Sequence, residues 1–99
     1  MTVNIHNVHF EADLKLIEHV NKKISKLENH HDRIMKVDVF LKLDNVMHQI
    51  KDKVAEIRVK IPKNELFVKQ STKSFEESFD MALDSMLIQL KKAKEKQLA

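Results

Sequence analysis

The sequence predicts an α+β fold: a two-layer sandwich in which a four-stranded sheet carries two helices on one face, in the order β-α-β-β-β-α. Three observations support this prediction. Three segments alternate apolar and polar residues with the period of two that a half-buried strand requires, and a fourth strand follows the third through a hairpin. Two longer segments repeat apolar residues at helical spacing. Nothing else in the chain could cover the apolar side of the sheet, so we expect both helices to pack against it.

The first strand is predicted over Thr2–Val8, where Val3 and Ile5 alternate with polar residues. The first helix is predicted over roughly residues 14–29, and Asp13 is suited to be its N-cap. One apolar stripe runs along that helix and should face the sheet. It consists of Leu16, Ile17, Val20, Ile24 and Leu27.

Three further strands are predicted in the middle of the chain. Residues 35–43 alternate most clearly, and a polar turn is expected at Asp44 and Asn45. Alternation returns over residues 55–61. Pro62 then indicates a tight hairpin into a last strand at residues 65–70.

The second helix is predicted from a capping-box sequence, in which Ser74 is the N-cap and Glu77 follows three residues later. We expect this helix to continue to about Lys96. Its apolar stripe consists of Phe75, Phe79, Ala82, Met86, Leu90 and Ala93.

Composition restricts the chain to a small set of functions. Its 99 residues are enough for one domain, residues 1–99, and hydrophobic residues make up 42%. Cysteine and glycine are both absent, which excludes thiolate chemistry and glycine-rich phosphate loops. No apolar run is long enough for a membrane span. We therefore expect a cytoplasmic protein that binds no cofactor or small-molecule substrate.

Lysines are concentrated on one side of the first predicted helix and at the end of the second. In the first helix Lys15, His19, Lys22 and Lys26 cluster opposite the apolar stripe, with Lys23 at their edge. The second helix ends in a lysine-rich segment, residues 91–96. Each group alone could be an ordinary solvated face, with the last lysines interacting with the helix dipole. Helices lying side by side would join the two groups into one surface suited to phosphate.

Histidine and carboxylate pairs offer no convincing catalytic or metal site. His6 and His9 should point to opposite faces of the first strand, and residues 30–32 should have a structural role at a helix end. Asp80 and Asp84 lie one helical turn apart and are expected to be solvated, with no histidine or lysine base nearby. No nucleophile, base and orienting group can be assembled, so the sequence predicts neither an enzyme nor a metal site.

Several segments resemble the short ribosome hibernation-promoting factors of bacteria, also called ribosome-associated translation inhibitors or sigma-factor modulation proteins. The resemblance covers nearly the whole chain. It is carried by residues 1–6 (MTVNIH), 20–28 (VNKKISKLE), 37–39 (VDV), 79–84 (FDMALD) and 89–94 (QLKKAK). The family's β-α-β-β-β-α order is also the order predicted above.

The resemblance implies a partner, a site and a role in the cell. Such proteins bind the small ribosomal subunit where messenger RNA and transfer RNA bind, contact ribosomal RNA through both helices, and stop translation during stress or stationary phase. The departures from the family pattern are Ser85, Ile88 and Glu76, where lysine, arginine and an aromatic residue are usual. The positions that match the family's RNA-binding residues are Lys22, Lys23, Lys26, Gln89, Lys91, Lys92 and Lys94. Helical spacing adds Lys15 to this set.

Two other functions are consistent with the residues. The predicted order of strands and helices is similar to that of double-stranded RNA-binding domains, which recognise the shape of the RNA minor groove. Met81 and Ile88 project from the polar side of the second helix and could form a protein-interaction patch. In either case we expect the free chain to be monomeric.

Overall fold

Four strands form one mixed sheet with two helices in the computed structural model of the chain, which describes residues 1–8, 10–46 and 50–98. The predicted fold class and element order are confirmed. The elements are β1 Thr2–Val8, α1 Leu14–Ile24, a 3₁₀ segment Ser25–Asn29, β2 Lys36–Val46, β3 Ile50–Ile61, β4 Asn64–Thr72 and α2 Phe75–Leu98.

The sheet topology gives the two helices the same direction. Strands lie in the order β1-β2-β3-β4, with β1 parallel to β2 and the other two pairings antiparallel. Because α1 connects two parallel strands, it must run back against β1. The strand β4 is parallel to β2, and α2 runs back against it after a short connection. Both helices therefore end at the same end of the molecule.

The core lies between the sheet and the two helices. Register aligns Ile5, Val39, Ile57 and Val68 across the four strands, so one apolar row crosses the helix-facing side of the sheet. Phe79, in the second turn of α2, is fully buried. Leu83, which the predicted stripe did not include, is buried too. The predicted helix residues that are buried are Leu16, Val20, Ile24, Leu27, Phe75, Phe79, Ala82, Met86 and Leu90, whereas Ile17 and Ala93 are half-buried.

The strands are longer than the sequence predicted. The expected turn at Asp44 and Asn45 is wrong, because both residues belong to β2 and pair with Asp52 and Lys51 of β3. Cross-strand hydrogen bonding thus overrides the turn preference of Asp and Asn. As a result β3 begins at Ile50, five residues earlier than predicted. The helix predicted over residues 14–29 has the expected extent, but its last five residues adopt the tighter 3₁₀ form that is common at helix ends.

The observed caps and turns confirm most of the positions at which the sequence predicted that helices and strands begin or end. Asp13 caps α1, accepting the backbone N–H of Leu16 at 2.8 Å. Pro62 and Lys63 form the β3–β4 turn, and Lys63 takes the left-handed conformation there, with φ 66°. The connection between β2 and β3 includes residues 47–49, which lie outside the described part of the chain.

The predicted capping box at α2 is half confirmed. The Ser74 hydroxyl accepts the backbone N–H of Glu77 at 3.4 Å, as expected for an N-cap. The backbone N–H of Ser74, however, donates to the Thr72 hydroxyl at 3.1 Å and not to the glutamate. Thr72 at the end of β4 therefore takes the role predicted for Glu77, and it ties the helix start to the sheet.

Candidate nucleic-acid interface

A carboxylate joins the two helices. One Asp80 oxygen on α2 accepts from His19 Nε2 at 2.7 Å and from Lys23 Nζ at 3.0 Å, both on α1. We call these three residues the helix clasp. The prediction that Asp80 is solvated and has no histidine or lysine nearby is wrong, because its two partners are distant in sequence and only the fold brings them close.

The clasp controls the charge on Asp80. Burial raises the pKa of its carboxyl group, but the hydrogen bonds from Lys23 and His19 and their positive charge outweigh that effect and hold the pKa below its usual value. Asp80 is therefore ionised at neutral pH. It keeps Lys23, a predicted RNA-binding residue, engaged within the protein.

We expect Asp80→Asn to lower the free energy of unfolding by about 0.5 kcal/mol at pH 7, the scale of a partly screened surface ion pair. Because the folded-state pKa is depressed, this contribution is full above the unfolded-state pKa of about 3.9 and is lost as the pH falls through the lower folded-state value. Urea unfolding at pH 7, 5 and 3 measures it.

The matched control for that experiment is Asp84→Asn, one turn further along α2 and exposed. We expect this control to leave the free energy of unfolding nearly unchanged at every pH. An equal loss in both variants, or a loss for Asp80→Asn that persists undiminished at pH 3, would show that the clasp does not stabilise the fold through the Asp80 charge.

The exposed lysines of α1 border the clasp. Lys22 is three residues from His19, and Lys26 is three residues from Lys23, so each lies next to a clasp residue on the helix surface. Lys15, four residues before His19, extends the same row. All three of these lysines are exposed. They form a row of cations along the exposed side of α1 and the 3₁₀ segment that follows it, next to the flank whose His19 and Lys23 contact α2.

On α2 the predicted residues divide between two flanks. Lys91 and Lys94 follow Asp80 by about three and four helical turns, and this places them on the flank near α1. Gln89 lies on the other flank, where its side-chain amide donates to the backbone carbonyl of Phe67 in β4 at 3.4 Å. Lys92 lines a shallow cleft together with Gln89 and β4 residues. The fold therefore separates Gln89 and Lys92 from the remaining predicted residues.

We group the exposed lysines beside the clasp with Lys91 and Lys94 of α2 and call this set the basic strip. At 1.5 Å per helical residue, Lys91 lies about 16 Å beyond the clasp along α2, far enough for the strip to meet more than one phosphate. Both helices end in the same direction, so their negative dipole ends lie near the strip's terminal lysines. The strip consists of Lys15, Lys22, Lys26, Lys91 and Lys94.

The histidines within the described residues form no cluster at this surface. His31 is 2% exposed, and its Nδ1 accepts the backbone N–H of Arg33 at 3.1 Å, a structural role like the one predicted for residues 30–32. The predicted orientation of His9 lies outside the described residues. Across residues 1–8, 10–46 and 50–98, no group of three His, Cys, Asp or Glu side chains could hold a metal ion.

In the part of the chain that the structure describes, no helix combines the length and the apolar composition needed to cross a membrane.

The predicted interaction residues on α2 are both accessible: Met81 is 42% exposed and Ile88 is 57% exposed. They are seven residues apart, about two helical turns, and therefore share one side of the helix.

Comparison with known folds agrees with the architecture. A ribosomal subunit interface protein from Coxiella burnetii has a similar fold, with a TM-score of 0.84, 17% identity, and coverage of 96% of this chain and 99% of the other. The Protein Y N-terminal domain of Thermus thermophilus gives a TM-score of 0.79 at 24% identity, over 93% of this chain and 98% of that domain.

Sequence comparison identifies the family. A ribosome hibernation promoting factor from Pseudomonas putida is 31% identical over 97 residues, which span 98% of this chain and 90% of that protein. Residues 3–98 match the family model described as sigma 54 modulation protein / S30EA ribosomal protein. The resemblance noted from individual segments is thereby confirmed, and the chain belongs to this family of ribosome hibernation and ribosome-associated factors.

Proposed function

We propose that the chain binds the small ribosomal subunit through the basic strip and covers ribosomal RNA near the decoding region. Bound there, it blocks messenger RNA and transfer RNA and so inhibits translation during stress or stationary phase. It acts in the cytoplasm, as a monomer when free, by occupying a site and without catalysis. The observation that carries this proposal is the row of exposed lysines on two parallel helices, in a chain of the ribosome hibernation family.

Counterion release supplies the affinity of such a surface. Each lysine that neutralises a phosphate frees condensed cations, so binding weakens steeply as salt rises. No ion pair among the described residues involves Lys22, Lys26 or Lys91. These ammonium groups can therefore bind phosphate without first breaking an internal contact.

Shape must supply most of the specificity. Phe75 and Phe79 of α2 are buried in the core, so the helix surface offers no aromatic ring on which a base could stack. The lysines instead stand at spacings set by rigid helices, which the clasp and the core hold together. A surface of this kind recognises the arrangement of phosphates in folded RNA, and large folded RNAs such as those of the ribosome provide it.

We expect the chain to cosediment with isolated small subunits and to be released when transfer RNA and messenger RNA are added in excess. In a cell-free translation reaction it should lower protein synthesis in proportion to the subunits it occupies. Cosedimentation before and after addition of transfer RNA provides the measurement. Binding to subunits that transfer RNA leaves unchanged would contradict occlusion of the decoding region.

A general double-stranded RNA-binding module is the competing proposal, favoured by the β-α-β-β-β-α order and the basic strip. The two proposals predict different relative affinities for duplex RNA and for the small subunit. A chain that recognises duplex shape alone should bind a plain RNA duplex of about 16 base pairs as tightly as it binds the small subunit. We expect the subunit to be preferred, because a short duplex offers only part of the phosphate arrangement.

A further inference from the structure

The side of the sheet that faces away from the helices carries a column of planar side chains. The His6 and Phe40 rings stack with centroids 4.5 Å apart, and the Arg58 guanidinium lies 5.3 Å from the Phe40 centroid. Arg58 also lies 5.2 Å from the ring of Phe67, which is 46% exposed. Each strand contributes one member, so the column crosses the entire open face of the sheet.

A cleft of about 270 Å³ opens beside this column. Its walls combine an aromatic ring, a guanidinium plane, two ammonium groups and two carboxylates. The residues that line it are Lys36, Asp38, Phe40, Arg58, Lys60 and Glu65. No helix covers it, because both helices pack on the other face of the sheet.

Two lysines at one end of the cleft are placed directly opposite each other. Lys36 of β2 pairs in register with Lys60 of β3, and both are exposed. Like charges at opposed positions of neighbouring strands destabilise a sheet. Lys36 lies 3.5 Å from an Asp38 oxygen, which offsets part of the repulsion. Glu65 of β4 lies opposite Lys60 in register and offsets a further part, and an anion held between the two ammonium groups would relieve the repulsion that remains.

We propose that the open face binds single-stranded RNA, with one phosphate between Lys36 and Lys60 and an adjoining base against Phe40 and Arg58. Unpaired bases stack on aromatic rings and on arginine planes, both of which the column provides. Along each strand the same face repeats about every 6.7 Å, so Arg58 lies one step from the lysine pair. The lysine pair and the stacking surface thus belong to one continuous cleft.

The carboxylates in the cleft favour a nucleotide over an acidic peptide. A nucleotide combines an anionic phosphate for the lysines with neutral base amino groups, from which carboxylates accept hydrogen bonds as they do from cytosine N4. An acidic peptide would offer Asp38 and Glu65 only further anions in its side chains. This site lies on the opposite side of the sheet from the basic strip. It is a second RNA contact, and it does not depend on the proposed contact with the small subunit.

An NMR titration with a six-nucleotide oligocytidine tests the proposal. The titration uses the full chain carrying Lys22→Gln, Lys26→Gln and Lys91→Gln, so that the basic strip contributes little. We expect backbone shifts to concentrate on β2, β3 and β4 near the cleft. Oligouridine, which lacks the amino group, should bind more weakly.

Two open-face variants in the same background separate charge from stacking. Lys36→Gln with Lys60→Gln should weaken binding about fivefold at 0.1 M salt, the effect of one lost phosphate contact on a single strand. Arg58→Lys keeps the positive charge but removes the planar guanidinium group on which a base could stack, and should weaken binding about tenfold. The spectrum of each free variant shows whether the fold is retained.

Three results would overturn the proposal. The shifts could fall on the helices, the open-face variants could titrate like their parent, or an acidic peptide could shift the cleft residues when RNA does not. Small-subunit cosedimentation of Lys36→Gln with Lys60→Gln in the otherwise unmodified chain addresses the basic strip independently. Failure of one site therefore does not imply failure of the other.

Discussion

A triple variant with Lys22→Gln, Lys26→Gln and Lys91→Gln is expected to bind small ribosomal subunits about a hundredfold more weakly than the unmodified chain at about 0.15 M salt. Each lysine that contacts a phosphate contributes nearly one unit to the slope of log affinity against log salt. The slope should therefore become shallower by about three units. Cosedimentation over a range of salt concentrations gives both quantities.

The matched control removes three lysines from the open face of the sheet: Lys36→Gln, Lys60→Gln and Lys69→Gln, one each from β2, β3 and β4. This control changes the net charge of the chain by the same amount as the triple variant does. We expect it to bind the small subunit within about threefold of the unmodified chain, with its salt slope nearly unchanged. Equal losses in both variants would show that net charge, and not the strip, determines binding.

Phe79→Ala is expected to lower the free energy of unfolding by about 3–5 kcal/mol, the usual cost of deleting a buried aromatic side chain. Phe79 is 0% exposed, and its ring makes an edge contact with the His19 ring at 6.0 Å between centroids. The lost ring thus lies directly under the helix clasp. For a domain of this size the midpoint of thermal unfolding should fall by roughly 15–30 °C.

Ile88→Ala is the control for that change, since it also shortens an apolar side chain of α2 but at a position that is 57% exposed. We expect its free energy of unfolding to stay within about 0.5 kcal/mol of the unmodified chain. Calorimetry or urea unfolding measures both variants. A Phe79→Ala chain as stable as the Ile88→Ala chain would contradict the placement of the core between α2 and the sheet.

Patterns of apolar residues predicted the layers of the fold because each element buries one side only. The stripe of α1 and the alternation of β2 both contain enough repeats to identify a buried face without knowledge of the partner. Element ends were harder to predict. Asp44 and Asn45 favour a turn locally, but pairing with β3 supplies cross-strand hydrogen bonds that no local pattern reveals.

The candidate site could be predicted in part for the same reason. Helical spacing identified the exposed row of Lys15, Lys22 and Lys26, because spacing on one helix is a local property. It did not reveal that Asp80 holds His19, since the two are 61 residues apart and meet only through packing.

The open-face column was missed because it depends on strand register. Alternation places Phe40 and Arg58 on the side away from the core, but only the pairing of β2 with β3 brings them close. A usable signal was present in the sequence. Phe40 and Phe67 occupy positions that alternation predicts to be solvent-facing, where large aromatic residues are unusual.

A structure of the chain bound to the small ribosomal subunit tests most directly whether the basic strip is the ribosome-binding surface. We predict that both helices face ribosomal RNA, with the Lys22, Lys26 and Lys91 ammonium groups within hydrogen-bonding distance of phosphate oxygens. A complex in which the sheet contacts the RNA and both helices face solvent would contradict this prediction.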